Sequence, residues 1–219
     1  MDDLVEKRTR IITVSRQMGS GGNYVGYEVA KALGFAYVNR EILYRAADIL
    51  KRSAASLEQY EEKSSGFIQN LIMTFAFGSP DIPYVPLTAR PVYDRELFDL
   101  ESKIITDIAD KHSAVIIGRA GFHVLKGRAN TTHLFFHAPY EHRVKRIMKA
   151  RNIADIQKAQ TEIEESDKRR GKFIRDMTGT EWTDALNYHF CIDTMSASLS
   201  DIVKTVIDFL EKSLLRQET

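Results

Sequence analysis

Short runs of β-branched and aromatic residues recur at 11–15, 35–38, 114–118, 132–137 and 190–193. A continuous apolar run of that length reads as a strand buried on both faces. Between the runs, apolar positions fall three and four apart. Val25, Val29, Ala32 and Leu33 line one face of 24–33, Ile202, Val206, Phe209 and Leu210 line one face of 200–215, and 141–151 has the same character. That spacing predicts helices. Strand then helix, repeated, predicts parallel strands, because parallel neighbours need a long crossover that covers the sheet. The expected fold class is α/β: a three-layer α/β/α sandwich with a parallel sheet of about five strands.

The alternation breaks twice. Residues 53–89 read as a helical stretch followed by a turn-rich segment from Gly78 to Pro86, and residues 155–180 as a charged helical stretch containing Asp167, Lys168, Arg169 and Arg170. Both are read as insertions over the C-terminal edge of the sheet, where α/β proteins bind ligands. A chain of 219 residues has room for one domain carrying insertions and is short for two. There is no internal repeat.

Composition narrows the function. Lys and Arg total 31 against 30 Asp and Glu, so no overall basic field favours nucleic acid, and an anion site must be local. The single cysteine, Cys191, has no partner for a disulfide or a metal pair; it fits a reducing compartment and is expected in the core. No stretch approaches the roughly 18 apolar residues of a membrane span, and residues 1–10 lack a signal-type apolar region, so a cytoplasmic location without membrane contact is expected. The six histidines show no metal-binding spacing. His133 and His137 share a strand face without a nearby carboxylate and are read as strand or surface residues; no metal ligands are expected. Trp182, Tyr37, Tyr44 and Tyr188 are read as packing, with Tyr44 also placed to border a base.

The most informative segment runs Ser-Arg-Gln-Met-Gly-Ser-Gly-Gly-Asn-Tyr from Ser15 to Tyr24, directly after the first strand and opening the first helix. Glycines let successive amides point inward as a nest, and the helix adds unpaired N–H groups and the positive end of its dipole. Gly19, Ser20, Gly21, Gly22, Asn23 and Tyr24 are therefore candidate phosphate-binding positions; a purely structural strand-to-helix turn is the alternative. Against the pattern G-x-x-x-x-G-K-[ST], with Gly21 as the second glycine, Arg16 stands at the first glycine, Gly22 at the lysine and Asn23 at the hydroxyl residue. Arg16 leaves the strand just before the loop and is the candidate replacement cation, since a guanidinium grips phosphate oxygens bidentately. The other reading of Arg16 is a salt bridge within the loop. Asn23 is read chiefly as a helix cap, with weak metal binding as the alternative.

On these residues, and on Phe-Ala-Tyr-Val-Asn-Arg-Glu-Ile-Leu-Tyr-Arg from Phe35 to Arg45, the chain resembles the cytidylate-kinase-like proteins. The resemblance continues through Gly118-Arg119-Ala120, the region of His137 to Arg151, the arginines between Asp167 and Arg175, and Trp182 to Thr194. It implies a P-loop NTPase of the nucleoside-monophosphate-kinase type, one domain over 1–219. Its core would span about 8–52, 100–154 and 181–219, with a helical acceptor-binding insertion about 53–99 and a lid about 155–180.

The resemblance also implies an ATP-dependent phosphotransferase acting on a nucleoside monophosphate or related small phosphate-bearing acceptor, with Mg2+ accompanying ATP. In cytidylate kinase a D-S-G-A-x-Y-R motif holds the acceptor; here Asn39-Arg40-Glu41-Ile42-Leu43-Tyr44-Arg45 takes that place. Asn39, Arg40 and Arg45 are thus acceptor-binding candidates. Arg119 matches the arginine of a G-R-D motif, so it is both an acceptor-binding and a catalytic candidate, while Ala120 replaces the aspartate. Asp167, Arg169, Arg170 and Arg175 resemble the lid, with Arg170 joining Arg16 and Arg119 as a catalytic candidate. The plain alternative for that charge run is a solvated helix face paired at i, i+4. Two other functions stay open: a phosphate-binding sensor without turnover, favoured by the missing lysine, and a kinase of a non-nucleotide metabolite. The sequence assigns no oligomeric state.

Overall fold

The structure is a computed structural model that describes residues 9–53 and 95–215. Most of the expected acceptor-binding insertion lies outside the described residues. One parallel sheet has the order β2-β3-β1-β4-β5, with β1 at Ile11–Arg16, β2 at Ala36–Val38, β3 at Ala114–Ile117, β4 at Thr131–His137 and β5 at Phe190–Asp193. The helices are α1 (Gly22–Leu33), α2 (Arg40–Ser53), α3 (Arg95–Lys111), the single turn α4 (Gly121–Val124), α5 (Tyr140–Arg151), α6 (Ile156–Thr178) and α7 (Leu199–Leu215).

Strand β1 sits at the centre, registered Val14 against Ile117 on one side and Arg16 against Phe136 on the other. Its residues alternate between two cores. Ile12 and Val14 pack with Val25 and Val29 of α1 and Ile202 and Val206 of α7. Ile11 faces the other way, towards Leu43 of α2 and Ile104, Ile105 and Ile108 of α3. Farther along that second face, Phe135 of β4 meets Phe173 of α6, Trp182 and Tyr188. The expected α/β/α layering and five-stranded parallel sheet are therefore present. Tyr37, Trp182 and Tyr188 are buried, as packing residues should be.

A smaller cluster controls the site. Met18, in the loop after β1, packs with Val144 and Ile147 of α5 and Ala159 and Ile163 of α6. This apolar contact seats the helical pair against the glycine loop. Helix α6 starts where Asp155 caps the Gln157 amide at 2.9 Å and ends at Gly179 in the left-handed region, so one unbroken helix covers most of the charged stretch.

One expectation is corrected. Cys191 is exposed and not part of the core. Strand β5 is an edge strand, and Ile192 is the neighbour that turns to α7, leaving Cys191 on the opposite side.

Candidate functional site

The central strand delivers Arg16 to the C-terminal edge of the sheet, and the chain turns through the glycine loop into α1. Gly19 and Gly21 have φ of 79° and 85°, a region L side chains rarely enter. A Cβ on Gly19 would also lie 2.8 Å from the Arg143 carbonyl oxygen, so loop and α5 approach closely only because position 19 lacks a side chain. Helix α1 begins at Gly22, and the amides of its first turn have no intrahelical acceptor. The Gly22 amide meets Ser20 Oγ at 3.3 Å.

The loop is held from behind by side chains that sequence reasoning did not single out. Arg143 Nη1 donates to Met18 O at 3.2 Å, Arg146 Nη1 to Gly19 O at 2.9 Å, and Thr194 Oγ1 to Ser20 O at 2.5 Å.

Arg16 folds back over the loop. Its Nε donates to Asn23 Oδ1 at 2.7 Å, and its guanidinium lies over Gly118 so closely that a Cβ there would be 2.5 Å from Nη1. The loop partner of Arg16 is thus an amide and not a carboxylate. Burial, followed by the Arg170 charge and then Arg40, pushes the Arg16 pKa down to about 9, with Tyr37 and Asp167 opposing. It stays charged at neutral pH, with the charges of Arg170 and Arg40 acting on it.

The capping role expected of Asn23 is corrected. The N-cap is Gly21 and makes no side-chain cap bond; because the helix starts at Gly22, Asn23 lies inside the first turn and receives Arg16 instead.

The α6 segment divides by face. Asp167 Oδ1 accepts from the Met18 amide at 2.8 Å and from Arg170 Nη1 at 2.9 Å, while Oδ2 accepts from Arg143 Nη1 at 2.6 Å. Asp167 and Arg170 are therefore brought to the loop. Arg169 pairs with Glu165 and Arg175 with Glu181 on the exposed side. Arg169 follows the i, i+4 pattern of a solvated helix face, whereas Arg175 reaches past the end of α6 to Glu181.

On the acceptor side, Asn39 Oδ1 caps α2, accepting from the Glu41 and Ile42 amides at 3.0 Å each. Arg40 opens that helix and acts electrostatically on both Arg16 and Glu101. Arg45 lies on α2, and its side chain is outside the described residues. After β3, Gly118, Arg119 and Ala120 have φ of 74°, 50° and 57°. For Arg119 and Ala120 such geometry costs on the order of 1–3 kcal/mol each, and it persists only where surroundings impose it. Here Arg119 Nε donates to Glu101 Oε2 at 2.6 Å, Nη2 bonds the same oxygen, and the guanidinium stacks 4.2 Å from the Phe173 ring centre.

Glu101 is 1% exposed, and its Oε1 is buried without a hydrogen-bond partner among the described residues. Burial raises its pKa, and Arg119 opposes that shift. A charged residue on the apolar stripe Phe98, Glu101, Ile105, Ile108 was the signal for it in the sequence.

Asn23 Oδ1 already accepts from Arg16, and no group of three His, Cys, Asp or Glu gathers among the described residues.

A sequence profile of the cytidylate kinase-like family matches residues 11–196. Over 202 residues the chain is 23% identical to an S-adenosylmethionine-dependent nucleotide dehydratase of Lacinutrix mariniflava; the match takes 92% of this chain and spans only 36% of that protein. An uncharacterized protein from Eubacterium ventriosum superposes with a TM-score of 0.69 at 18% identity, covering 93% of this chain and 99% of its own. A gluconokinase from Sinorhizobium meliloti superposes with a TM-score of 0.52 at 15% identity, covering 98% and 100%. At such identities the likeness is one of fold.

Proposed function

The chain belongs to the cytidylate kinase-like family, and we propose that it transfers the γ-phosphoryl group of ATP to a nucleoside monophosphate or a related small acceptor. The observation that carries this reading is the glycine loop at the end of the central strand with the Arg16 guanidinium laid across it. A phosphate oxygen of the acceptor attacks the γ-phosphorus while its bond to the β-bridging oxygen breaks, so ATP leaves as ADP and the acceptor gains one phosphoryl group. The transition state spreads negative charge over the transferred oxygens, and positioned arginines stabilise it without covalent chemistry. Arg16 supplies charge from the strand side and Arg170 from α6, which we assign as the lid. Arg40, Arg45 and Arg119 are assigned to the acceptor, held beside the strained turn after β3. Mg2+ enters with ATP as part of that substrate, and residues 53–99 are assigned to the acceptor-binding insertion.

A nucleotide acceptor is supported by the relative whose name is a nucleotide dehydratase, since this chain matches a part of a protein that acts on nucleotides. The second reading, a nucleotide-binding sensor without turnover, is favoured by Gly22 at the lysine position and by Asn23 engaged with Arg16. The test is ADP release, coupled to a reporter enzyme, with Mg-ATP and a panel of nucleoside monophosphates and small phosphorylated acceptors. Acceptor-dependent release that disappears in Arg16→Ala supports the kinase. ATP binding by calorimetry with no release under any acceptor supports the sensor.

A further inference from the structure

We propose that the glycine loop is held open to phosphate by a clamp on its carbonyl oxygens, in which Arg146 of α5 is a positioning residue. This inference rests on the phosphate-binding reading above and adds the device that maintains it.

Three consecutive carbonyls are bonded from the same side of the loop: Met18 O by Arg143, Gly19 O by Arg146 and Ser20 O by Thr194. In a trans peptide the C=O and N–H of one unit point in opposite directions. Holding those three oxygens therefore turns the amides of Gly19, Ser20 and Gly21 away from α5 and Thr194. The Ser20 amide returns to Gln17 O at 3.3 Å, whereas those of Gly19 and Gly21 meet no acceptor among the described residues. With the Gly22 amide taken by Ser20 Oγ, they join the amides of Asn23 and Tyr24 in the first turn of α1 as candidate donors of an anion nest.

The clamp is itself fixed. Thr194 is 1% exposed and its hydroxyl also contacts His137 O at 3.2 Å; Arg146 Nη1 also reaches that hydroxyl at 3.3 Å. Arg143 is buried and tied to Asp167, which in turn accepts from the Met18 amide. Arg146 is the member to alter, because it is only half-buried and makes no ion pair in this network. Its guanidinium also lies within 3.2 Å of where a Gly21 side chain would begin, so it closes the back of the loop as well as holding its carbonyl.

The probe is inorganic tripolyphosphate, titrated by calorimetry into the full chain, with thermal unfolding followed on the same samples. Arg146→Met keeps the stem and removes the donor, and affinity is expected to fall about tenfold, the scale of one hydrogen bond to a charged group. Arg146→Lys retains a cationic donor and should recover most of that loss, which mere packing damage would not allow. Thr194→Val, nearly equal in shape, should weaken binding in the same direction. The clamp is overturned if Arg146→Met binds within about twofold of the unaltered chain, or if its loss follows the melting temperature and lysine does not restore it. If the unaltered chain binds no tripolyphosphate, the phosphate-site reading fails first and the clamp with it.

Discussion

Replacing Gly118 with alanine tests whether the seat of Arg16 matters. Two costs separate cleanly. The first is backbone: at φ of 74° an L residue loses roughly 1–2 kcal/mol relative to glycine. The second is steric, since the new Cβ would stand 2.5 Å from Arg16 Nη1, closer than real Cβ contacts come. The guanidinium is the flexible partner and must move, giving up its place beside the loop. Gly127 supplies the control: it has the same φ of 74° and nothing within 4 Å of its added Cβ. Gly127→Ala should therefore lower stability by about 1–2 kcal/mol in urea unfolding and leave ATP binding unchanged. Gly118→Ala should show the same stability loss and, in addition, weaken ATP binding about ten- to a hundredfold, the value of displacing a charged donor. Equal ATP affinity in the two variants would refute the placement of Arg16 at the phosphates.

Three further outcomes follow from buried charge. His133 bonds Thr13 through Nδ1 at 2.8 Å and stacks on His189, and burial, then His189, holds its pKa down to about 4. Because the folded pKa lies below the unfolded one, stability is complete above pH 6.5 and declines as pH falls towards 4; the loss is about 3 kcal/mol, and His133→Gln should flatten that slope in urea titrations at stepped pH. Asp167→Asn removes the charge shared by Arg143, Arg170 and the Met18 amide and should destabilise the chain by about 3 kcal/mol while weakening ATP binding; unchanged chemical unfolding would count against the link between α6 and the loop. Glu101→Leu leaves Arg119 in a buried setting and should cost about 3–5 kcal/mol, whereas the double change with Arg119→Met should cost less; a double variant weaker than both singles combined would contradict that account.

The sheet was legible because its inner strands β1, β3 and β4 are buried on both faces, so their apolar runs stand out; β1 to β4 each differ from expectation by one residue at one end. What the runs do not carry is position. Cys191 lies between the apolar residues Phe190 and Ile192, yet only the strand order reveals that β5 is an edge. The start of α1 was read two residues late because Gly22 and Asn23 resemble loop, and this is why Asn23 was taken for a cap. The glycine loop itself was legible from spacing. Its clamp was not, because Arg143, Arg146 and Thr194 bond backbone carbonyls more than a hundred residues away in sequence, and backbone acceptors leave no signature in side-chain pattern.

On the proposed reading, in which Arg16 replaces the lysine, the exchange has a geometric reason. A Cβ on Gly22 would lie 2.8 Å from Arg16 Cβ and 3.0 Å from Phe136 Cβ, so a side chain at the lysine position and the observed Arg16 exclude one another. The cation therefore enters from the end of β1 instead of from the helix. That origin changes what it connects. A lysine rising from α1 would address only the loop, whereas Arg16 runs from β1 past Asn23 to Gly118, the residue that opens the strained turn carrying Arg119. The donor loop and the turn assigned to the acceptor thus share one guanidinium. On the proposed reading, a shift of either side would move the Arg16 guanidinium that touches both.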